Sequence, residues 1–242
     1  MIEAKDIKLL VERRDAAAWI TVNRPEKANA MTVDMMERLT RAIAEAAADP
    51  AVTAILITGA GERVFCAGVD VREQPEDGDM TRQRERRSVA LAALQDAVIN
   101  TAKPIVAVLN GAASGGGAML ALMADACVAT DSAVLSLPEI DLGIATFSGA
   151  NILEVIGGRA LALDLIQSGR RMSAAEASQR GLVHAVAPQG TLVAAASTVA
   201  QSLGAKNSKA FADNKRWINR KLKLALAEAR EEHARHRREN AK

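Results

Sequence analysis

Two stretches, Thr53–Thr58 and Pro104–Leu109, are apolar at nearly every position, the pattern of strands buried on both faces of a sheet. Ile7–Arg13 and Ala18–Asn23 are β-like runs separated by polar Arg14-Asp15, which predicts a hairpin. Helical periodicity fills the space between: Thr32–Ala48 places Val33, Met36, Leu39 or Thr40 and Ile43 on one face, and Thr81–Asn100 is a long, charged helix. A helix opens at Ser114 or Gly115 and runs through Ala124, and Cys127–Thr130 is another short strand. Ser173-Ala-Ala-Glu176 is a capping box for a helix that stops at Gly181. Residues 190–236 are helical almost throughout, with Trp217, Ile218, Leu222, Ala225 and Leu226 at helical spacing. Strands alternating with helices predict an α/β domain whose ligands lie at the carboxyl ends of strands.

Composition narrows the chemistry. At 242 residues and 49% hydrophobic content the chain can bury a large core, and with no Tyr it excludes a catalytic tyrosine. Cys66 and Cys127 lack CxxC spacing or a histidine cluster, so they read as reduced, buried thiols of a cytoplasmic protein with no metal site. No signal segment occurs and no apolar run is long enough to span a bilayer. Residues 206–242 carry twelve Lys/Arg against five Asp/Glu, a tail of +7 on a protein of net +2, leaving −5 for residues 1–205. That tail reads as a solvated helix face or a docking surface for a neighbouring subunit. Nucleic acid is disfavoured, because Trp217 is the only aromatic from Ala212 onward.

The candidate chemistry lies in three segments. Phe65-Cys66-Ala67-Gly68-Val69-Asp70 and Asn110-Gly111-Ala112-Ala113-Ser114-Gly115-Gly116-Gly117 each follow an apolar run and leave backbone N–H groups uncovered, and two such donors can cradle one oxyanion. Ser136-Leu137-Pro138-Glu139-Ile140-Asp141-Leu142-Gly143-Ile144 supplies a carboxylate in apolar surroundings, where burial makes Glu139 a base. Asp141 reads as structural, and His184, His233 and His236 all fall outside these loops. The low-apolarity stretch Glu73–Arg87 is expected to be a mobile loop over the site.

These segments, in this order and with Asn23-Arg24-Pro25-Glu26-Lys27-Ala28-Asn29-Ala30 before them, resemble the crotonase (enoyl-CoA hydratase/isomerase) superfamily over roughly three-quarters of the chain. The resemblance implies an α/β crotonase-like spiral of ββα units over residues 1–188. Residues 189–242 would be a helical C-terminal region serving oligomerisation and as a lid. It also implies trimers or dimers of trimers, and a substrate carried as a coenzyme A thioester with no separate cofactor. By the same resemblance the Val69 and Gly116 N–H groups form the oxyanion hole. Lys27, Ala67, Gly68, Val69 and Val71 line the CoA arm, and Ser114, Gly115, Pro138 and Leu142 border the thioester and acyl end. Arg24 and Arg72 are weaker phosphate candidates. Met119, Met80 and Phe147 would shape the acyl site.

One departure decides the expected reaction. Water-adding members of the family carry two glutamates, and the first of these positions is Met119 here, so only Glu139 remains to move a proton. One carboxylate suffices to shift a double bond from the β,γ to the α,β position, and an isomerase is the expectation. Hydratase-lyases and carbon–carbon bond-forming members also keep a single glutamate and stand as alternatives. A non-catalytic acyl-CoA binder is the third.

Overall fold

The computed structural model describes residues 8–75 and 77–239; Ile7 and Glu76, which the sequence reading included in a strand and a loop, lie outside the described residues. The described residues open with β1 (Leu9–Arg14) and β2 (Ala17–Val22), an antiparallel hairpin in which Leu9 faces Val22 and Arg14 faces Ala17. Its two-residue turn takes Asp15 at φ 54°, the left-handed region an aspartate tolerates. α1 (Val33–Ala48) follows, with the Thr32 side chain accepting from Met35 N–H and an apolar stripe of Val33, Met36, Leu39 and Ile43 against the core.

Thereafter the chain repeats one unit. β3 (Ala54–Gly59), β4 (Val64–Cys66) and α2 (Met80–Asn100) form the first; β5 (Ile105–Leu109), β6 (Ala112–Ser114) and α3 (Gly116–Met123) the second. β7 (Ala126–Thr130), β8 (Val134–Ser136) and α4 (Phe147–Ser168) form the third. The first strand of each unit joins one sheet, in the order β1-β2-β3-β5-β7-β10, and the second joins another, β4-β6-β8-β9. β9 (Met172–Ser173), α5 (Ala174–Gln179) and β10 (Ala185–Ala187) complete both sheets. This is the expected spiral of ββα units. From β2 to β10 the large sheet is parallel.

Burial explains the unbroken apolar runs. Ile55, Ile57, Ile105, Ala107 and Leu109 face the main core beneath α1, α2 and α3. The alternate residues Leu56, Val106 and Val108 face a second core closed by Leu192, Ala196 and Ala200 of α6 (Leu192–Gly204). α7 (Ser208–Ile218) and α8 (Arg220–Glu239) follow, and α8 lies along α4 and reaches α2.

Two expectations need correction, and one helix is new. Residues 80–87 are not loop: Asp79 accepts from Thr81 and Arg82 N–H and starts α2 at Met80, a cap hidden among the surrounding charges. The helical spacing of Trp217, Ile218, Leu222, Ala225 and Leu226 does not mark one helix, for the chain breaks at Asn219, whose amide donates to Ile99 O. The periodicity resets there, leaving Trp217 and Ile218 64% and 71% exposed while Leu222, Leu226 and Ala229 are buried. α4 was not anticipated, because contacts on several sides, and a turn of backbone at Gly158 (φ 82°), leave it without a single apolar stripe.

Candidate active site

The turn between β2 and α1 braces everything that follows. Asn29, buried and at φ 53°, accepts from Arg24 N–H and donates to Ala60 O (3.0 Å) and Val64 O (2.8 Å). Asn110, just after β5, donates to Gly61 O (2.7 Å) and to the same Val64 O (3.2 Å), and accepts from Gly59 N–H (3.1 Å). Two amides therefore clamp the loop that feeds β4. Beyond β4, the Arg24 guanidinium meets Asp70 at 2.6 Å and Ala30 O at 3.1 Å. Burial pushes the Asp70 carboxyl up, but the bond and charge of Arg24, the Arg72 N–H and the charge of Lys27 together bring it below the ordinary value. Arg24 is thus committed inside the protein.

Held this way, the segment presents its backbone. Met31 uses both of its groups, donating to Gly68 O and accepting from Asp70 N–H (2.8 Å each), in a parallel bridge opposite Val69. The Val69 N–H consequently points away from Met31. Gly68 at φ 98° makes the bend, and a Cβ there would lie 3.0 Å from Gly116 N. Gly116 begins α3, whose cap residue Gly115 offers no side chain, so the first N–H groups of the helix have no intrahelical partner. A Cβ on Gly116 would lie 3.5 Å from Val69 N. The Val69 and Gly116 N–H groups therefore border one small space, at the positive end of a helix dipole.

Glu139 completes the arrangement. It sits in a 3₁₀ turn, Pro138–Leu142, fixed by Ile144 N–H donating to Glu139 O at 2.9 Å. Its Oε1 lies 3.1 Å from the point a Cβ on Gly115 would occupy, and that glycine has a φ of 52°. Gly115 N–H is bonded to Ser136 O, and Ser136 Oγ donates to Ser114 Oγ at 3.3 Å, which ties the turn to the start of α3. Glu139 Oε2 is buried with no hydrogen-bond partner. Burial raises the carboxyl pKa above its ordinary value, and its own backbone N–H only partly offsets this. Asp141, by contrast, turns outward against Gly169 at the end of α4.

A cavity of about 860 Å³ lies over these groups. Of the twelve residues assigned from sequence to the oxyanion hole, the base, the CoA arm, the thioester border and position 119, eleven line it: Ala67, Gly68, Val69, Val71, Ser114, Gly115, Gly116, Met119, Pro138, Glu139 and Leu142. Lys27 is the exception; it is exposed beside Asp70, outside the lining. Met80 lines the cavity, whereas Phe147 lines a smaller neighbouring one of about 400 Å³ and sets its ring edge-on to His233. Cys66 and Cys127 are buried, and burial pushes both thiols up to about 12, so neither is a nucleophile. Exposed His184 accepts from Cys127 N–H at 3.2 Å, a bond between β7 and the approach to β10. Sequence reading put all three histidines outside the site, but His233 stands in the cavity wall with Arg230 and Arg237 of α8. Their i, i+3, i+7 spacing was the available signal for a shared face.

The family model described as Enoyl-CoA hydratase/isomerase matches residues 12–240. The chain belongs to that family. The putative enoyl-CoA hydratase/isomerase YngF of Bacillus subtilis is 36% identical over 92% of this chain and 85% of its own length. The probable enoyl-CoA hydratase echA8 of Mycobacterium tuberculosis is 35% identical over 91% and 84%. Among solved structures, the enoyl-CoA hydratase of Bacillus anthracis superposes with a TM-score of 0.82 at 29% identity, covering 95% of this chain and 91% of that one. The chain is thus an enoyl-CoA hydratase/isomerase family enzyme whose expected substrates are acyl-CoA thioesters. Among the described residues no helix is long and apolar enough to cross a membrane.

Proposed function

We propose that this member of the family moves a carbon–carbon double bond of an acyl-CoA from the β,γ to the α,β position. The observation that carries the reading is the pairing of half-buried Glu139 with Met119. A carboxylate whose buried Oε2 lacks a hydrogen-bond partner stands against Gly115, and the position that holds a second glutamate in water-adding members is a thioether, 4% exposed. The other carboxylate on the cavity wall, Glu85, is exposed on α2. A thioether neither orients water nor takes its proton.

The steps follow from the geometry. The thioester oxygen lies between the Val69 and Gly116 N–H groups, with the CoA arm along Ala67, Gly68 and Val71 and Lys27 at the exposed end. Glu139 accepts a proton from C2 of the 3-enoyl thioester. The electron pair passes into the dienolate, whose oxygen charge the two N–H groups stabilise without reorganising. The carboxylic acid returns the proton to C4, leaving the double bond between C2 and C3. One group serves both transfers, and the raised pKa of Glu139 brings it closer to the acidity of the carbon it must deprotonate. Coenzyme A enters only as part of the substrate, and a homotrimer or dimer of trimers in the cytoplasm is the assembly we infer for it.

The test is proton NMR of a short 3-enoyl-CoA in D₂O with wild type and with Glu139→Gln. Conversion to the 2-enoyl thioester with deuterium entering at C2 and C4, abolished in the variant, supports isomerisation. Exchange at C2 with no bond migration moves the protein to the lyase or carbon–carbon bond-forming reading. Binding without exchange leaves a thioester binder.

A further inference from the structure

The cavity has a second end that the isomerase steps do not use. Where α8 crosses α2, Arg237 donates to Ser88 Oγ at 2.7 Å, and Arg230 donates to both Asp96 oxygens (2.9 Å each), to Ala92 O and to Gln95 Oε1. Arg230 is neutralised by Asp96. Arg237 and Arg87 make no ion pair with any described carboxylate; Arg87 instead donates to Val71 O and Glu73 O.

The hydrogen-bond balance of this wall is one-sided. Gln95 Nε2, Arg87 Nε, Arg230 Nε and His233 Nδ1 are all buried with no partner, and all four residues line the cavity. Gln95 is only 1% exposed. Three of these atoms can only donate, and the fourth donates in one of its two tautomers. Orphaned buried donors are costly unless a partner moves to accept from them. An apolar acyl chain would leave every one unsatisfied. The opposing negative charge on the same wall is the exposed Glu85, against the cations of Arg84, Arg87 and Arg237. What fits is a small planar acceptor bearing negative charge, which guanidinium and amide donors read two bonds at a time.

We propose that the α2–α8 wall binds a carboxylate carried on the far end of the acyl group, so that the substrate is the CoA thioester of a dicarboxylic acid. The inference rests on the reading of the cavity as an acyl-thioester site. Apolar Met80, Leu91 and Leu142 line the cavity and suit the intervening methylenes. The phosphates of the CoA arm, bulky and doubly charged, suit the exposed mouth near Lys27. The cations named here, Arg84, Arg87 and Arg237, stand in the cavity wall itself.

Calorimetric binding of unreactive saturated thioesters tests this independently of isomerisation. Glutaryl-, adipyl- and pimelyl-CoA are each compared with the methyl-ended thioester of equal carbon number, and with CoA itself, for wild type and Arg237→Gln. We expect at least one carboxylate-ended thioester to bind ten-fold or more tighter than its partner, with that ratio falling toward one in the variant. Equal or weaker binding of every carboxylate-ended member overturns the proposal and leaves the acyl-CoA reading standing. Thioesters that bind no better than CoA defeat the acyl-CoA reading itself. If Arg237→Gln weakens both members of each pair and CoA alike, the guanidinium serves the CoA phosphates and the proposal fails. Because the wild-type ratio is decisive alone, a misfolded variant does not shelter the idea.

Discussion

Replacing Gly68 by alanine isolates the contact between the two loops that supply the N–H groups. The added methyl carbon would meet Ser114 O at 2.9 Å and Gly116 N at 3.0 Å, both backbone atoms, where ordinary contact begins near 3.4 Å. Relief requires the loops to part by about half an ångström, which widens the gap between the Val69 and Gly116 donors by a similar amount. If a misplacement of about 1 Å can cost roughly 100-fold, half of it costs about tenfold, or about 1.4 kcal/mol of transition-state stabilisation. Losing one donor outright would cost about 100- to 1,000-fold. An alanine at a φ of 98° also costs about 1–2 kcal/mol of stability in backbone strain. Gly181→Ala is the control: its φ is 74° but no atom lies within 4 Å of the added carbon, so it incurs the strain alone. Solvent-deuterium exchange at C2 of a saturated acyl-CoA, beside urea unfolding of both variants, gives the comparison. Gly68→Ala should slow exchange tenfold or more while Gly181→Ala loses only stability. Equal exchange by the two proteins would refute the placement of the donor pair.

Glu139 works as a base only when ionised, and burial raises its pKa above the ordinary 4.5; the acid limb of kcat/KM should therefore fall above that value, with activity lost as pH drops through it. A limb at or below 4.5 would contradict the burial argument. The Lys215 ammonium, 4% exposed, meets Asp125 at 2.6 Å beneath β5, and burial drives the lysine pKa down and the aspartate pKa up despite their attraction. Lys215→Met should cost about 3–5 kcal/mol in urea unfolding by stranding the carboxylate, and Asp125→Asn in the same chain should recover part of it. Met119→Glu places a second carboxylate in the cavity wall; it should gain hydration of a 2-enoyl-CoA, measured by loss of the conjugated-thioester absorbance, where wild type shows little.

How much of this was legible in sequence follows from how local each feature is. Ile55–Ile57 and Val106–Val108 announce strands covered on both sides, because adjacent residues enter different cores. The two glycine-bearing loops and the Pro138-Glu139 turn are local motifs, and the fold brings them together across three units. The second sheet stayed hidden because β4, β6 and β8 are three residues each, too short for a period of two to show. Lys27 shares that motif but stands on an exposed turn beside Asp70, outside the cavity lining, so its place at the open end depends on tertiary geometry the motif does not carry. His233 and Arg237 were missed because their approach depends on the direction α8 takes after Asn219, and that bend has no signature beyond one polar residue.

The Val64 carbonyl accepts from two side chains, Asn29 and Asn110, which lie 81 positions apart. Either amide alone keeps that oxygen satisfied, so the first loss is cushioned there and the second is not. Substitutions at the two sites should therefore be epistatic, the pair worse than the sum of the singles, and drift at either position narrows what the other can tolerate.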